Sequence, residues 1–318
     1  MIDVPLSNKT VSFSVLMSVI GKGRILRDCS IKAVDKLSNV KYDRTAIFTT
    51  KRLANEVIED ERIAGVITTP ALSSAMLETT SFGVWEYSDP QDLFFTIHEY
   101  FVETNFVLQP WKNRISDTAL ISPSAIIADH SVIIEDECVV EENAVIKAFT
   151  VIGKGSRIGS LCDIGSDGFE VHSVNGSPKV IKHGGMVIIG QNVEILPMVK
   201  ITRGLSPSRN TEIHDNVKID SLTHIAHGVI IGQNAVITGG ITIAGNTTIG
   251  ESAFVGPGAI ISNRVSIGEN SFIAIGSVVI GNIKKGTKVS GNFALDHEDN
   301  LVRHNYLRTL IKKETKPT

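Results

Sequence analysis

From Ile189 to Val279 an aliphatic residue returns at every sixth position. Of the sixteen register positions, fifteen hold Ile or Val and the exception is Pro207. A helix repeats every ~3.6 residues and a strand every ~2, so neither explains a period of six held over ninety residues. A hexapeptide repeat of this kind is the mark of a parallel β-helix, in which each hexad forms one short flat face and three hexads close a coil. The repeat extends upstream through Ile121, Ile127 and Ile133. It then slips by one residue and continues through Ile134, Val140, Ile146, Ile152, Ile158 and Ile164. Between Ile164 and Ile189 it lapses over SDGFEVHSVNGSPKVIKHGGMVI. A connection of that length in a rigid scaffold reads as a functional loop extruded from the coil.

Three segments follow from this. Residues 1–114 lack the hexad and read as a small α/β domain. RTAIFTT (44–50), AGVITTP (64–70) and FGVWEYS (82–88) read as strands, and DPQDLFFTIHEYFVE (89–103) as a helix capped by Asp89 with Pro90 at its first position. NFVLQPWKNR (105–114) reads as a linker. Residues 115–291 form the β-helix, with room for about nine coils and a length on the order of 40 Å at ~4.8 Å per coil. Residues 292–318 place Leu301, Leu307, Leu310 and Ile311 at spacings that suit one amphipathic helix, which could cap the open end of the coil or pack in an oligomer.

Formal net charge is −3, which gives no global electrostatic case for nucleic acid. Cys29, Cys138 and Cys162 cannot form a closed disulfide set and point to a reducing compartment. The start shows no basic segment followed by a long apolar one, and no apolar run approaches eighteen residues. The expectation is a soluble, cytoplasmic protein without integral membrane association.

In a stack of hexads, residues eighteen apart lie above one another. Arg209, His227, Gly245 and Asn263 therefore fall in one column. Gly245 would leave space beside the His227 imidazole, which can take a proton near neutral pH. A solvated turn histidine fits the column equally. No metal-ligand spacing is evident, and the histidines at 214, 224 and 227 form no closed set with carboxylates.

GSDGF (165–169), VIIG (187–190), KID-L--IAH-V-IG-N (218–234) and IAG-TTIG (243–250) resemble the bacterial UDP-3-O-acylglucosamine N-acyltransferases of lipid A synthesis, in the same order over residues 115–285. The resemblance implies a left-handed parallel β-helix, a homotrimer with active sites between adjacent prisms, and an N-terminal α/β domain that binds a nucleotide sugar. It implies His227 as the general base for amide formation on an acyl thioester. It also implies Asp220 as a residue that orients the imidazole, with a structural corner hydrogen bond as the alternative. Asp167, Phe169, Arg203 and His224 match or replace sugar-contacting positions. Lys179, Lys182 and His183 put positive charge in the extruded loop, where a pyrophosphate could be met, with a solvated basic loop as the alternative. Gly239, Gly240, Gly245, Gly256, Gly258 and Asn263 could let a pantetheine arm lie against the backbone, with a turn requirement of the hexad as the alternative for each glycine. Among the aromatic residues Phe48, Trp85, Tyr87 and Phe94, one could stack on a nucleobase, with core packing as the alternative.

Departures from the family pattern narrow the reading. VIKHGG (180–185) stands where the family reads KIPQ-G, Thr202 replaces the acid of IDRG, and Ser221 and His224 replace Asn and Gln in KIDNL-QIAH. The IAH chemistry stays while the substrate contacts change. This points to transfer from acyl-CoA to a nucleotide-linked amino sugar for surface-polysaccharide synthesis. SGNFA (290–294), similar to the loop after the last coil of CoA-dependent hexapeptide transferases, favours CoA. The alternatives are the lipid A enzyme itself with acyl carrier protein as donor, a metal-dependent trimer like the γ-class carbonic anhydrases, and a non-catalytic binding prism.

Overall fold

The computed structural model describes residues 7–174, 176–291 and 293–314. Residues 114–289 wind into a left-handed parallel β-helix with three flat faces of eight, nine and eight strands. Among the described residues there are eight full coils and a partial ninth, ending at Lys288–Val289. Each hexad supplies a two- or three-residue strand whose Ile or Val points inward. One face stacks Ile146, Ile164, Ile201, Ile225, Ile243 and Ile261, each fully buried. The residue two positions earlier also points inward and is small or branched, as with Cys162, Val199, Thr223, Ile241 and Ala259. Parallel strands buried along one edge align the same side chain in every coil, so a single apolar ladder fills the prism.

The corners explain the remaining half of the hexad. Asn216, Asn234, Asn246 and Asn270 all turn through positive φ, as do Gly228, Gly240, Gly258 and Gly276 at equivalent positions. Asn and Gly reach that conformation at least cost.

Two segments leave the coil, both at the corner between the third face of one coil and the first face of the next. The first runs from Asp167 to Met186 and contains the antiparallel hairpin Val171–Val174 with Ser177–Val180. The second runs from Arg203 to Asn210 and contains the 3-10 turn Pro207–Arg209. Ile213 pairs with Ile189 and not with the residue eighteen positions back, so Pro207 belongs to an extruded hexad and holds no coil position. The upstream slip has a similar local cause. One extra residue enters between Ile127 and Ile134, and both ends of the slip are braced by Asn113, which donates to the Ala128 carbonyl (2.7 Å) and accepts from the Val132 N–H (2.8 Å). The stretch 105–114 is thus no free linker. Leu108 is buried, and Trp111 meets Phe149 edge-on with ring centroids 5.5 Å apart.

The N-terminal part is a five-stranded sheet in the order Arg24–Arg27, Gly83–Glu86, Ile63–Thr68, Thr45–Thr49, Ala33–Asp35, with the first strand antiparallel and the rest parallel. Around it lie α1 (Phe13–Ile20), α2 (Asn55–Ile58), α3 (Pro70–Thr79) and α4 (Pro90–Glu103). The Asp89 carboxylate caps α4 by accepting from the Asp92 N–H at 3.0 Å. Trp85 and Phe94 are core residues: both are buried, and Trp85 Nε1 donates to the Lys22 carbonyl.

The two excursions join the domains. Ile181 of the first lies buried in the same apolar cluster as Phe94, Phe95 and Ile97, and Leu205 of the second packs against it. Tyr42 donates its hydroxyl to the Pro207 carbonyl (2.9 Å), and Ser206 donates to buried Asp35 (3.0 Å). The C-terminal helix α5 (His297–Glu314) does not cap the coil. Leu301, Leu307 and Leu310 are exposed, and the side chain of Ile311 lies outside the described residues. No helix among the described residues is long and apolar enough to cross a membrane.

Candidate active site

The corner that releases both excursions carries His227 one coil further on. His227 follows the strand His224–Ile225 and is buried, 7 % exposed. Gly245 stands directly above it: a Cβ there would lie 2.6 Å from His227 Nε2 and 2.8 Å from Cε1. The expected column therefore holds from His227 to Gly245 and Asn263, but not below. The six residues that the second excursion adds shift the count, and the pairing of Ile201 with Ile225 puts Arg203 in the position beneath His227. Arg209 lies on the excursion and donates from Nε to the Gly228 carbonyl at 2.8 Å.

A cleft of about 520 Å³ opens at this corner. Asp167, Phe169, Glu170, His224, His227, Gly245 and Asn263 are among its lining residues. Phe169 is 79 % exposed at its edge. Several of the residues singled out from sequence lie elsewhere. Arg203 lines a separate junction cavity of about 90 Å³, donates to the Gly185 carbonyl (2.8 Å) and stacks 4.8 Å from the Phe149 ring centroid. Lys182 pairs with Glu103 of α4 at 2.6 Å, and Lys179 pairs with Glu99 of the same helix. His183 is 1 % exposed, and burial followed by its neighbour His227 pushes its pKa down to about 3. The two lysines thus anchor the excursion to α4, and His183 is bonded within the excursion through the Ile181 carbonyl.

Asp220 and Gly239 share a different corner, between the second and third faces, where Asp220 is exposed and accepts from the Ser221 N–H at 2.7 Å. Seven residues separate Asp220 from His227, one more than a hexad, so the chain has turned a corner between them. Within this chain the carboxylate beside His227 is Glu170, with Oε2 3.9 Å from Nε2. Glu170 immediately follows the GSDGF run, a position that a search outward from that motif would reach.

The imidazole is held on its other side by His183, the two rings meeting edge-on with centroids 5.2 Å apart. His183 Nδ1 donates to the Ile181 carbonyl at 3.0 Å, which leaves its Nε2 as a lone-pair acceptor. That Nε2 and His227 Nδ1 are both buried without a hydrogen-bond partner among the described residues. Gly168 lets the loop cross here, since a Cβ would lie 2.7 Å from His183 Nε2 and 2.9 Å from His227 Cβ. Burial lowers the His227 pKa, and the Glu170 charge works against that. The ring is therefore neutral at pH 7, the form that accepts a proton. Above it, the Gly245 N–H meets no acceptor among the described residues.

The family model described as "Bacterial transferase hexapeptide (six repeats)" matches residues 210–245, the stretch that contains His227 and Gly245. The UDP-3-O-acylglucosamine N-acyltransferase of Maricaulis maris is 42% identical over 83 residues, 24% of each chain. The protein of the same name from Colwellia psychrerythraea is 48% identical over 71 residues, 22% of this chain and 20% of that one. The match thus spans a quarter or less of the length of these relatives. The LpxA structure from Acinetobacter baumannii aligns with 59% of this chain and 77% of its own, at 24% identity and a TM-score of 0.45.

Proposed function

We propose that the protein is an N-acyltransferase that moves an acyl group from an acyl thioester to the amine of a nucleotide-linked amino sugar. The observation that carries this reading is His227: a neutral imidazole fixed on a rigid corner and facing the cleft, with a free backbone N–H one coil above. The names of the relatives that match around it, UDP-3-O-acylglucosamine N-acyltransferases, support the same chemistry. The sugar amine attacks the thioester carbonyl and forms the C–N bond. His227 Nε2 takes the proton that the nitrogen sheds, and the carbonyl electrons move onto the oxygen. We assign the Gly245 N–H as the donor to that oxyanion. Collapse of the intermediate breaks the C–S bond, and the imidazolium returns its proton to the departing thiolate.

Acyl-CoA is the donor we favour, because the SGNFA segment resembles the terminal loop of CoA-dependent transferases; its Asn292 lies outside the described residues. Phe169 at the cleft edge and Asp167 beside it are assigned to the sugar. The α/β domain is assigned to the nucleotide, and a homotrimer to the assembly. The names of the relatives favour a second reading of the acceptor, UDP-3-O-acylglucosamine; the donor that goes with it under the lipid A resemblance is an acyl carrier protein.

Thiol release separates the two. The purified protein is offered UDP- and dTDP-linked amino sugars with acetyl-CoA and 3-hydroxybutyryl-CoA, and UDP-3-O-acylglucosamine with a 3-hydroxyacyl carrier protein. Turnover with a short acyl-CoA is expected, and turnover with the carrier protein alone selects the second reading. His227→Ala should cost about 10²–10⁴-fold in kcat, the usual contribution of a general base. Unchanged turnover in that variant removes the base assignment.

A further inference from the structure

Glu170 stands between the two domains. Its Oε1 accepts from Lys36 Nζ at 2.6 Å, and its Oε2 lies 3.9 Å from His227 Nε2. Lys36 follows the strand Ala33–Asp35 of the α/β sheet, and its ammonium also sits 5.7 Å from the Phe95 ring centroid. The two side chains are 14 % and 18 % exposed, so the pair is mostly withdrawn from water and its geometry is constrained. With one carboxylate oxygen held by Lys36, the other is left directed at the imidazole.

On the far side of the ring, His227 Nδ1 is closed off by burial against His183. Proton exchange with a substrate therefore runs through Nε2, the nitrogen that Glu170 faces. The other charged or titratable groups around the ring are Arg264 from the coil above Gly245, His224 from its own coil, Lys200 in register with His224 one coil below, and Asp167 of the cleft lining. Among the carboxylates, Asp220 belongs to another corner, and Glu170 alone forms an ion-pair contact with His227 among the described residues.

We propose that Glu170, held by Lys36, is the positioning residue for His227, so that the α/β domain fixes the orientation of the imidazole in the coil and stabilises its charged form. This deepens the transferase reading and rests on it for its kinetic consequence, though not for the contact itself. A carboxylate 3.9 Å from Nε2 attracts an imidazolium more than a neutral ring, so it acts when the proton has been taken.

The test uses the full chain with Glu170→Gln, Lys36→Met, Lys36→Arg and the Glu170→Gln/Lys36→Met double variant. The ¹³C-labelled histidine resonances report the His227 titration midpoint without substrate. Glu170→Gln should lower that midpoint by about one unit or more, since an adjacent opposite charge is removed. It should also lower kcat by about tenfold or more while KM for the amino sugar stays put, because the lost interaction acts in the transition state. Lys36→Met should move the midpoint the opposite way, because a nearby cation is lost, and still lower kcat because the carboxylate is released. Lys36→Arg should restore kcat, and the double variant should be no slower than Glu170→Gln. Opposite shifts follow from the two charges alone, so the loss of kcat at unchanged KM is the readout that a merely structural salt bridge would not give. A folded Glu170→Gln protein with an unmoved His227 midpoint overturns the proposal, and so does one with unchanged kcat. If the midpoints move as stated but no donor and acceptor pair turns over in the wild type, the contact stands and the transferase reading fails.

Discussion

Adding a single methyl group at Gly245 tests whether the corner works as described. A Cβ at that position would lie 2.6 Å from His227 Nε2, 2.8 Å from Cε1 and 3.1 Å from Cδ2. Relaxed contact between such atoms needs ~3.5 Å, so the ring must retreat by about 1 Å or rotate. Gly245 does not occupy the left-handed region, so alanine brings no backbone strain and the effect is confined to the imidazole. A displacement of ~1 Å in a catalytic group can cost about 100-fold, close to 2.7 kcal/mol in the barrier. We expect Gly245→Ala to lose kcat on that scale in the thiol-release assay. Overpacking of this kind costs stability by roughly 1–3 kcal/mol, and His227 lies at the edge of the cleft where it can yield, so the lower end is expected. Gly240→Ala is the control: its φ is +67°, nothing lies within 4 Å of the added methyl, and stability should fall by about 1 kcal/mol with turnover intact. A double-mutant cycle then separates two causes. If the methyl acts through the imidazole, Gly245→Ala adds little loss in the His227→Ala background. A full additional loss there would mean that the methyl obstructs the acyl donor, and wild-type kcat in Gly245→Ala itself would refute the geometry.

Two further predictions concern the scaffold. Ile225 is fully buried in the ladder beneath the site, so Ile225→Ala should cost about 2–5 kcal/mol in denaturant unfolding; a loss under half a kcal/mol would contradict a packed prism. Burial raises the Asp35 pKa to about 6 against the hydrogen bonds from Ser208, Lys36 and Ser206. A raised folded-state value means that its stabilising share is complete below about 3.8 and is lost as pH rises through about 6. Asp35→Asn should therefore gain on the wild type by up to about 3 kcal/mol between pH 4 and pH 8, and a pH-independent difference between the two would refute the assignment.

The ladder was legible because inward Ile and Val at a fixed period have no other use. The one-residue slip before Ile134 was legible for the same reason. The second excursion was hidden, since it inserts six residues between Ile201 and Ile213, and an insertion equal to the period leaves the spacing intact. Only Pro207 marked it. That concealed hexad also misplaced Arg209 in the His227 column. Asp220 came from the resemblance, as the KID aspartate, and in this chain a corner lies between it and His227. Lys36 and Glu170 are 134 positions apart, and no local pattern links a sheet strand in one domain to a loop in another. The helix α5 carried an amphipathic spacing, yet its described leucines face solvent, because a sequence pattern names a face without naming what covers it.

The winding of the prism has a consequence for what it can hold. Both excursions, His227, Gly245 and Asn263 leave the same edge on successive coils, so that edge is a graduated scale with a rung every ~4.8 Å. Lengthening either excursion alters what stands at one rung and leaves the others in place. A new substrate could then be accommodated by editing a loop at the right height, with the distance from that loop to the imidazole set by counting coils.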